Sequence, residues 1–207
     1  MKKTFLLTAS LLLSFTLLAQ PKPNSFFAGG SFRFYTNSYK ANDGGTSADY
    51  NRTGFIISPE AGYFLSDKFA VGAEIGGGIQ TQKYPDSMFN VKQTQSQFSI
   101  APFARYYFIN QKFGLFGEGS MGITFGKTKN YSSGSPTNET QITNYSMGIY
   151  PGIYYSVSDH LMLESTIGWF GFSSVKYKYS NNSSETYNHF GLNLSTSDIS
   201  LGFTWIF

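Results

Sequence analysis

Few side chains in this sequence are equipped for acid–base or electrostatic chemistry, and they are widely spaced: Arg33, Glu60, Glu74, Arg105, Glu118, Glu164 and Asp198, with Lys176 and Lys178 close together later in the chain. Carboxylates at facing positions can do general acid–base work. Charges ringing a pore can set ion selectivity. Opposed charges sealed in a narrow space form ion pairs that hold the walls together. The two histidines are His160 and His189, and Ser184, Glu185 and His189 are the one set that resembles a nucleophile, an acid and a base. With no Cys, thiol nucleophiles, disulfides and thiolate zinc sites are excluded. No phosphate loop, metal-spaced His pair or cofactor fingerprint appears, so neither a metal nor a cofactor is expected.

The elements that must position these groups announce themselves by a period of two, the signature of strands. Phe55, Ile57, Pro59, Ala61, Tyr63 and Leu65 share one parity, while Ser58, Glu60 and Gly62 take the other. Phe69, Val71, Ala73, Ile75 and Ile79 alternate with Gly72, Glu74 and Gly76. Phe98 to Phe108 sets Ile100, Ala104 and Tyr106 against Ser99, Phe103 and Arg105. The pattern continues with Phe113, Leu115, Met121, Ile123 and Phe125 against Glu118 and Ser120. Met147, Ile149, Ile153 and Tyr155 then oppose Ser146, Gly148 and Gly152. Leu161, Leu163, Ile167, Trp169 and Val175 oppose Glu164, Thr166, Lys176 and Lys178. At the ends, Phe26, Phe32 and Phe34 oppose Ser31 and Arg33, and Leu201, Phe203, Trp205 and Phe207 oppose Asp198, Ser200 and Gly202.

Eight strands result, and in their central spans every charge falls on the parity rich in Gly and Ser. A soluble sandwich would bury its bulky face and scatter charge over the other. Here the bulky face is free of charge and the small, polar face is too wet for a core. Charge on a lipid-facing position costs about 2–4 kcal/mol at the bilayer midplane, which accounts for its absence. A sheet in lipid must also close, because an unpaired backbone group has no water to bond. The expected fold is therefore all-β, a closed eight-stranded antiparallel up-and-down transmembrane β-barrel. Connections at Ser66-Asp67-Lys68, Asn110-Gln111-Lys112 and Ser158-Asp159-His160 are short. Those over Asn37–Arg52, Tyr84–Gln95, Thr128–Gln141 and Tyr179–Asn188 read as long polar loops. Short periplasmic turns and long outer loops are the outer-membrane arrangement, with both termini at the periplasmic rim.

Three units repeat, Pro59-x-x-x-Tyr63, Pro102-x-x-x-Tyr106 and Pro151-x-x-x-Tyr155, each before a short turn. The tyrosines Tyr63, Tyr106 and Tyr155 are placed for an aromatic girdle at the periplasmic interface. Proline breaks a strand ladder, so the three prolines are expected to mark bulges or bends.

Composition agrees. The chain has 207 residues, 18% aromatic and 13% charged, about half the charge of an ordinary soluble domain. Lys2 and Lys3 precede an apolar run from Phe5 to Leu18 that ends at small Ala19, the pattern of a secretory signal. Residues 1–19 are read as that signal and 20–207 as the barrel domain. Removing Lys2 and Lys3 leaves 13 basic against 12 acidic residues, a net charge of +1, so nothing points to nucleic acid.

With these features the chain resembles the small eight-stranded outer-membrane proteins of the OmpA/OmpX type, and in particular the outer-membrane β-barrel domain proteins of Bacteroidetes. The resemblance covers everything after the signal and implies residence in the outer membrane of a Gram-negative bacterium. It makes the outer-membrane lipid a partner, with the barrel-assembly machinery and periplasmic chaperones as partners in biogenesis. Phe203, Trp205 and Phe207, alternating to the last residue, match the terminal signal that this machinery reads in the family. Unlike full-length OmpA-type proteins, the chain ends at the barrel, without a peptidoglycan-binding domain. Barrels that deacylate lipid A carry a His-x-Ser pair, but Gly191 follows His189 at that spacing. Palmitoyl-transferring barrels carry an amphipathic N-terminal helix, for which Gln20–Ser25 is too short.

Counting from the turns, Glu60 and Glu74 should face each other across one hairpin, with Arg33 as the cation between them. Arg105 and Glu118 should pair across the next. An eight-stranded lumen is only wide enough for side chains. The expectation is therefore an interior ion-pair network that plugs the barrel. No catalytic residue is assigned, and the expected role is structural or adhesion-like, with a surface ligand met by the outer loops. A narrow porin-like conduit for ions or a small solute is the alternative, and a lipid-modifying enzyme the third reading.

Overall fold

The computed structural model describes residues 23–43, 46–84, 91–109, 111–132, 135–194 and 199–207. The expected signal segment 1–19 and Asp198 lie outside them. Alternating sequence folds into ten strand segments: β1 (Phe26–Asp43), β2 (Thr46–Phe64), β3 (Phe69–Tyr84), β4 (Val91–Tyr107), β5 (Phe113–Ser132), β6 (Ser135–Ser156), β7 (Leu161–Ile167), β8 (Trp169–Tyr179), β9 (Ser184–Asn193) and β10 (Ile199–Ile206). Sequence neighbours from β1 to β6 pair antiparallel, β6 pairs with β7 along one half and β8 along the other, and β10 lies between β7 and β1. The ten segments make eight staves. β7 and β8 are one stave broken at Gly168, and β9 and β10 another broken between Asn193 and Ile199. The result is a closed eight-stranded antiparallel barrel.

Its packing is inside out relative to a soluble domain. Phe32, Phe34, Phe55, Ile57, Ile75, Ile79, Phe98, Phe125, Met147 and Leu201 all point outward and are exposed. The alternating face turns inward. Phe27, Phe64, Phe103, Tyr107, Phe116, Tyr154, Met162 and Ile206 form the buried cluster at the short-turn end. Close approach there depends on glycine: a Cβ on Gly152 would stand 2.2 Å from the Phe116 ring. Among the described residues no helix is long and apolar enough to cross a membrane, so the crossing falls to the strands.

Four expectations are revised. The polar segments read as long loops are largely strand: β1 and β2 remain paired out to Asp43↔Thr46, and β5 and β6 out to Ser132↔Ser135. Polar residues on both faces are allowed because neither face meets lipid so far out. The prolines do not share one bulge geometry. The ladder from β2 to β3 skips Ser58 and Pro59, and that from β4 to β5 skips Ala101 and Pro102, with the register unchanged on either side. Only Pro151 lies beside a true shift, where Gly168 adds a residue to the facing stave.

That glycine causes the third revision. Gly168 has φ +65°, and a Cβ there would stand 2.2 Å from the Asn193 carbonyl oxygen. A bulge of one residue inverts the parity of everything beyond it. Trp169 therefore turns into the lumen and Phe170 and Phe172 face out, while Lys176 and Lys178 leave the interior for the outer surface. His189, expected on the lipid side, is the fourth: it pairs with lumen-lining Ser173 and its ring lies 6.0 Å from Trp169.

The β1–β10 ladder runs from Phe27↔Ile206 to Phe32↔Leu201. Beyond Phe32, no ladder among the described residues connects β1 to β9.

Candidate functional site

The site is the lumen, and Arg105 is its centre. Four staves deliver the groups: β4 carries Arg105, β2 Glu60, β5 Glu118 and β7 Glu164, each on the inward parity of its strand. The guanidinium donates from Nε and Nη2 to Glu118 Oε2 at 3.0 and 2.6 Å, from Nη2 to Glu60 Oε2 at 3.0 Å, and from Nη1 to Glu164 Oε2 at 2.7 Å. Its faces lie against Phe103 and Phe116, 4.9 and 5.0 Å from the ring centroids. The Tyr107 hydroxyl donates to Glu164 Oε1 at 3.2 Å, and the Thr204 hydroxyl to Glu60 Oε1 at 3.3 Å. Arg105 is 3% exposed. Arginine suits the position because its planar fork reaches three carboxylates at once, whereas an ammonium is a single point.

Below this knot, toward the short turns, the aromatic cluster fills the lumen, with Tyr107 5.2 Å from Tyr154 and 5.8 Å from both Phe64 and Phe116. Above it the interior opens into a cavity of about 340 Å³. Hydroxyls and amides dominate its walls, among them Ser31, Ser99, Ser146, Thr124, Gln97 and Asn144. Arg33 and Glu74 also line it, with Ser58 hydrogen-bonded to Glu74. Nearer the mouth, Gln80 Oε1 accepts from Tyr35 at 2.5 Å and from Arg52 Nη2 at 2.7 Å.

Glu60 does face Glu74, and Arg105 does face Glu118, in direct register. The cation that reaches Glu60 is Arg105, however. Arg33 pairs with Ile56, four residues along β2 from Glu60, and its Nε has no hydrogen-bond partner. Glu164 was placed inside by parity, but its convergence with Glu60 and Glu118 on one guanidinium depends on barrel closure. Tyr107 and Thr204 were not singled out. Their polar parity beside charged neighbours was the available signal. Tyr63, Tyr106 and Tyr155 lie at the short-turn end, where the Tyr63 hydroxyl donates to Asn24 Oδ1 at 3.1 Å and Lys112 Nζ lies 5.6 Å from the Tyr155 ring centroid. Phe203, Trp205 and Phe207 all face outward, and His160 stacks on Trp205. Ser184, Glu185 and His189 do not assemble into a triad: Glu185 accepts from Tyr179 and Tyr187 at 3.0 and 2.7 Å. Among the described residues no group of three or more His, Asp or Glu stands where it could hold a metal ion.

An apolar outer surface, a closed antiparallel wall and an ionic interior define a transmembrane β-barrel of the outer-membrane class. The chain belongs to the outer membrane protein beta-barrel domain family, whose model matches residues 18–177. The protein is therefore an outer-membrane protein of a Gram-negative bacterium. No curated protein matches the sequence. Among solved structures, the outer membrane protein OprG from Pseudomonas aeruginosa is similar with a TM-score of 0.54 at 11% identity, covering 92% of this chain and 99% of that one. Neisserial surface protein A aligns at 19% identity with a TM-score of 0.42, covering 88% and 97%. Ail, the attachment invasion locus protein of Yersinia pestis, aligns at 14% with a TM-score of 0.41, covering 90% and 99%.

Proposed function

We infer that this barrel is non-catalytic, that its lumen is closed, and that it acts through its outer surface, where the hairpins rise beyond the apolar band. The observation that carries the reading is the knot at Arg105, which ties β2, β5 and β7 to β4 across the lumen above a floor of packed aromatics. A buried charge cluster of this kind strengthens a wall and blocks flow, but offers no free acid or base to a substrate. Single-channel recording on the refolded mature protein is expected to stay silent. Discrete steps that change size or selectivity in Glu74→Gln or Arg105→Ala would make the charges a constriction and overturn the reading. A lipid A mass altered by expression of the protein would overturn the non-catalytic assignment. Surface action is tested by whole-cell binding, expected to fall when the outer hairpins are shortened.

A second reading is favoured by the cavity above the knot. It offers a small amphiphile a route inward from the outer mouth. A fluorescent amphiphile bound by the folded protein and displaced in Ser31→Trp, at the cavity wall, supports this route. Absence of binding removes it.

A further inference from the structure

The inverted parity beyond Gly168 brings Lys176 and Lys178 onto the same outer surface as lysines from three other strands. On β3, β4 and β5 the outward parity of Ile79, Phe98 and Phe125 continues to Lys83, Lys92, Lys127 and Lys129. These strands are neighbours, in the order β3-β4-β5-β6-β8. Lys83 and Lys92 are directly paired, Lys127 opposes Gln141, and Gln141 opposes Lys178. All six lysines are exposed. Among the described residues a single carboxylate shares their surface: Glu139, bonded to Lys127 Nζ at 2.7 Å. Among the described residues, six positive charges against one negative leave +5 on this surface. On the remaining strands β9, β1 and β2, the described outward residues at the same level are Thr186, Asn188, Thr36, Ser38, Asn51 and Thr53, all uncharged.

The height of this patch is set by the strands. A tilted strand climbs about 2.5 Å per residue along the barrel axis. Lys127 thus stands roughly 5 Å beyond Phe125, the last apolar residue of its strand, and Lys83, Lys129 and Lys176 roughly 10 Å beyond theirs. That is the headgroup layer of the outer leaflet, within reach of a snorkelling lysine. Basic residues at a membrane surface attract anionic headgroups, and several acting on one lipid add up.

We propose that the lysine patch formed by Lys83, Lys92, Lys127, Lys129, Lys176 and Lys178 is a binding surface for the phosphate groups of the outer-leaflet glycolipid. It orients the barrel, with one flank held by phosphorylated lipid. This goes beyond the surface role inferred above and does not depend on what the hairpins contact.

The test uses the refolded full-length mature protein in nanodiscs, with EDTA present so that divalent cations do not bridge phosphates. Retention of diphosphoryl lipid A, of dephosphorylated lipid A and of phosphatidylcholine is read by native mass spectrometry. The wild type should retain the diphosphoryl lipid on the order of tenfold more strongly than either other lipid. The combined variant Lys127→Gln, Lys129→Gln, Lys176→Gln and Lys178→Gln should lose that preference, and the corresponding four Lys→Arg changes should keep it. Heat-modifiable migration verifies that each variant is folded; if the Gln variant fails to fold, Lys176→Gln with Lys178→Gln alone should still halve the preference or more. Equal retention of all three lipids by the wild type overturns the proposal. So does an undiminished preference in a folded Gln variant, or salt-sensitive binding of heparin with no preference for phosphorylated lipid, which would point to an extracellular polyanion.

Discussion

Arg105 shows how much a single side chain can decide once its surroundings are dry. It is bonded to three carboxylates that are themselves 8–15% exposed, so the four charges are compensated chiefly by one another. Removing one partner from a buried cluster strands the others and costs about 3–5 kcal/mol. Arg105→Ala should therefore lower the unfolding free energy, read from urea titration of the folded barrel, by an amount in that range. Arg105→Lys should recover only part of it, because an ammonium cannot reproduce the three-way fork. Glu118→Gln, in contrast, keeps a hydrogen-bonding group and leaves Arg105 two carboxylates, so its effect should be clearly smaller than that of Arg105→Ala. That these charges face inward was readable from parity. Which guanidinium meets which carboxylate was not: Arg33 and Arg105 have the same parity, and only their heights on the closed wall separate them.

At the scale of the element, Gly168 governs the seventh stave. A side chain at φ +65° is strained and would run into the Asn193 carbonyl. Gly168→Val is expected to shift the register of β8 or weaken its pairing, with a loss of stability of about 1–3 kcal/mol in the same urea assay. Its distinctive signature is topological. In the parent background Lys176→Cys should react with a membrane-impermeant maleimide on intact cells and Val175→Cys, on the lumen parity, should react more slowly. Adding Gly168→Val should narrow or invert that difference. Equal reactivity in the parent would refute the outward placement of Lys176. Sequence periodicity misread this stave because Trp169 and Val175 continue the apolar beat through the glycine. An apolar residue on the lumen side is not forbidden when the lumen is packed.

For the whole molecule, the barrel and its outer hairpins are expected to be energetically separate. Lys129 opposes Glu139, so replacing residues 130–138 with Asn-Gly leaves a two-residue hairpin turn on an intact ladder. That variant should fold with an unfolding free energy, read from the same urea titration, changed by less than about 1 kcal/mol, since loop length itself contributes little. Whole-cell binding is the property expected to suffer. A large loss of stability would instead show that the hairpin tip belongs to the barrel's folding unit. Sequence reading took these segments for loops because their polarity matches loop composition. Their Thr, Tyr and Asn residues pair as strands because the barrel below fixes their register and brings them side by side.

The sequence by itself determined the class of this protein. Lipid tolerates no charge on one parity and no unpaired strand edge, and those two constraints leave a closed barrel with its polar side within. Local alternation carries that information, so it is legible residue by residue. Two things were decided only by tertiary structure: the meeting of Glu60, Glu118 and Glu164 on Arg105, and the inversion at Gly168 that gathers lysines on one flank. Each depends on the register between strands distant in the chain. Register is a property of pairs of strands, set by closure and by single inserted residues, and no one strand's sequence states it.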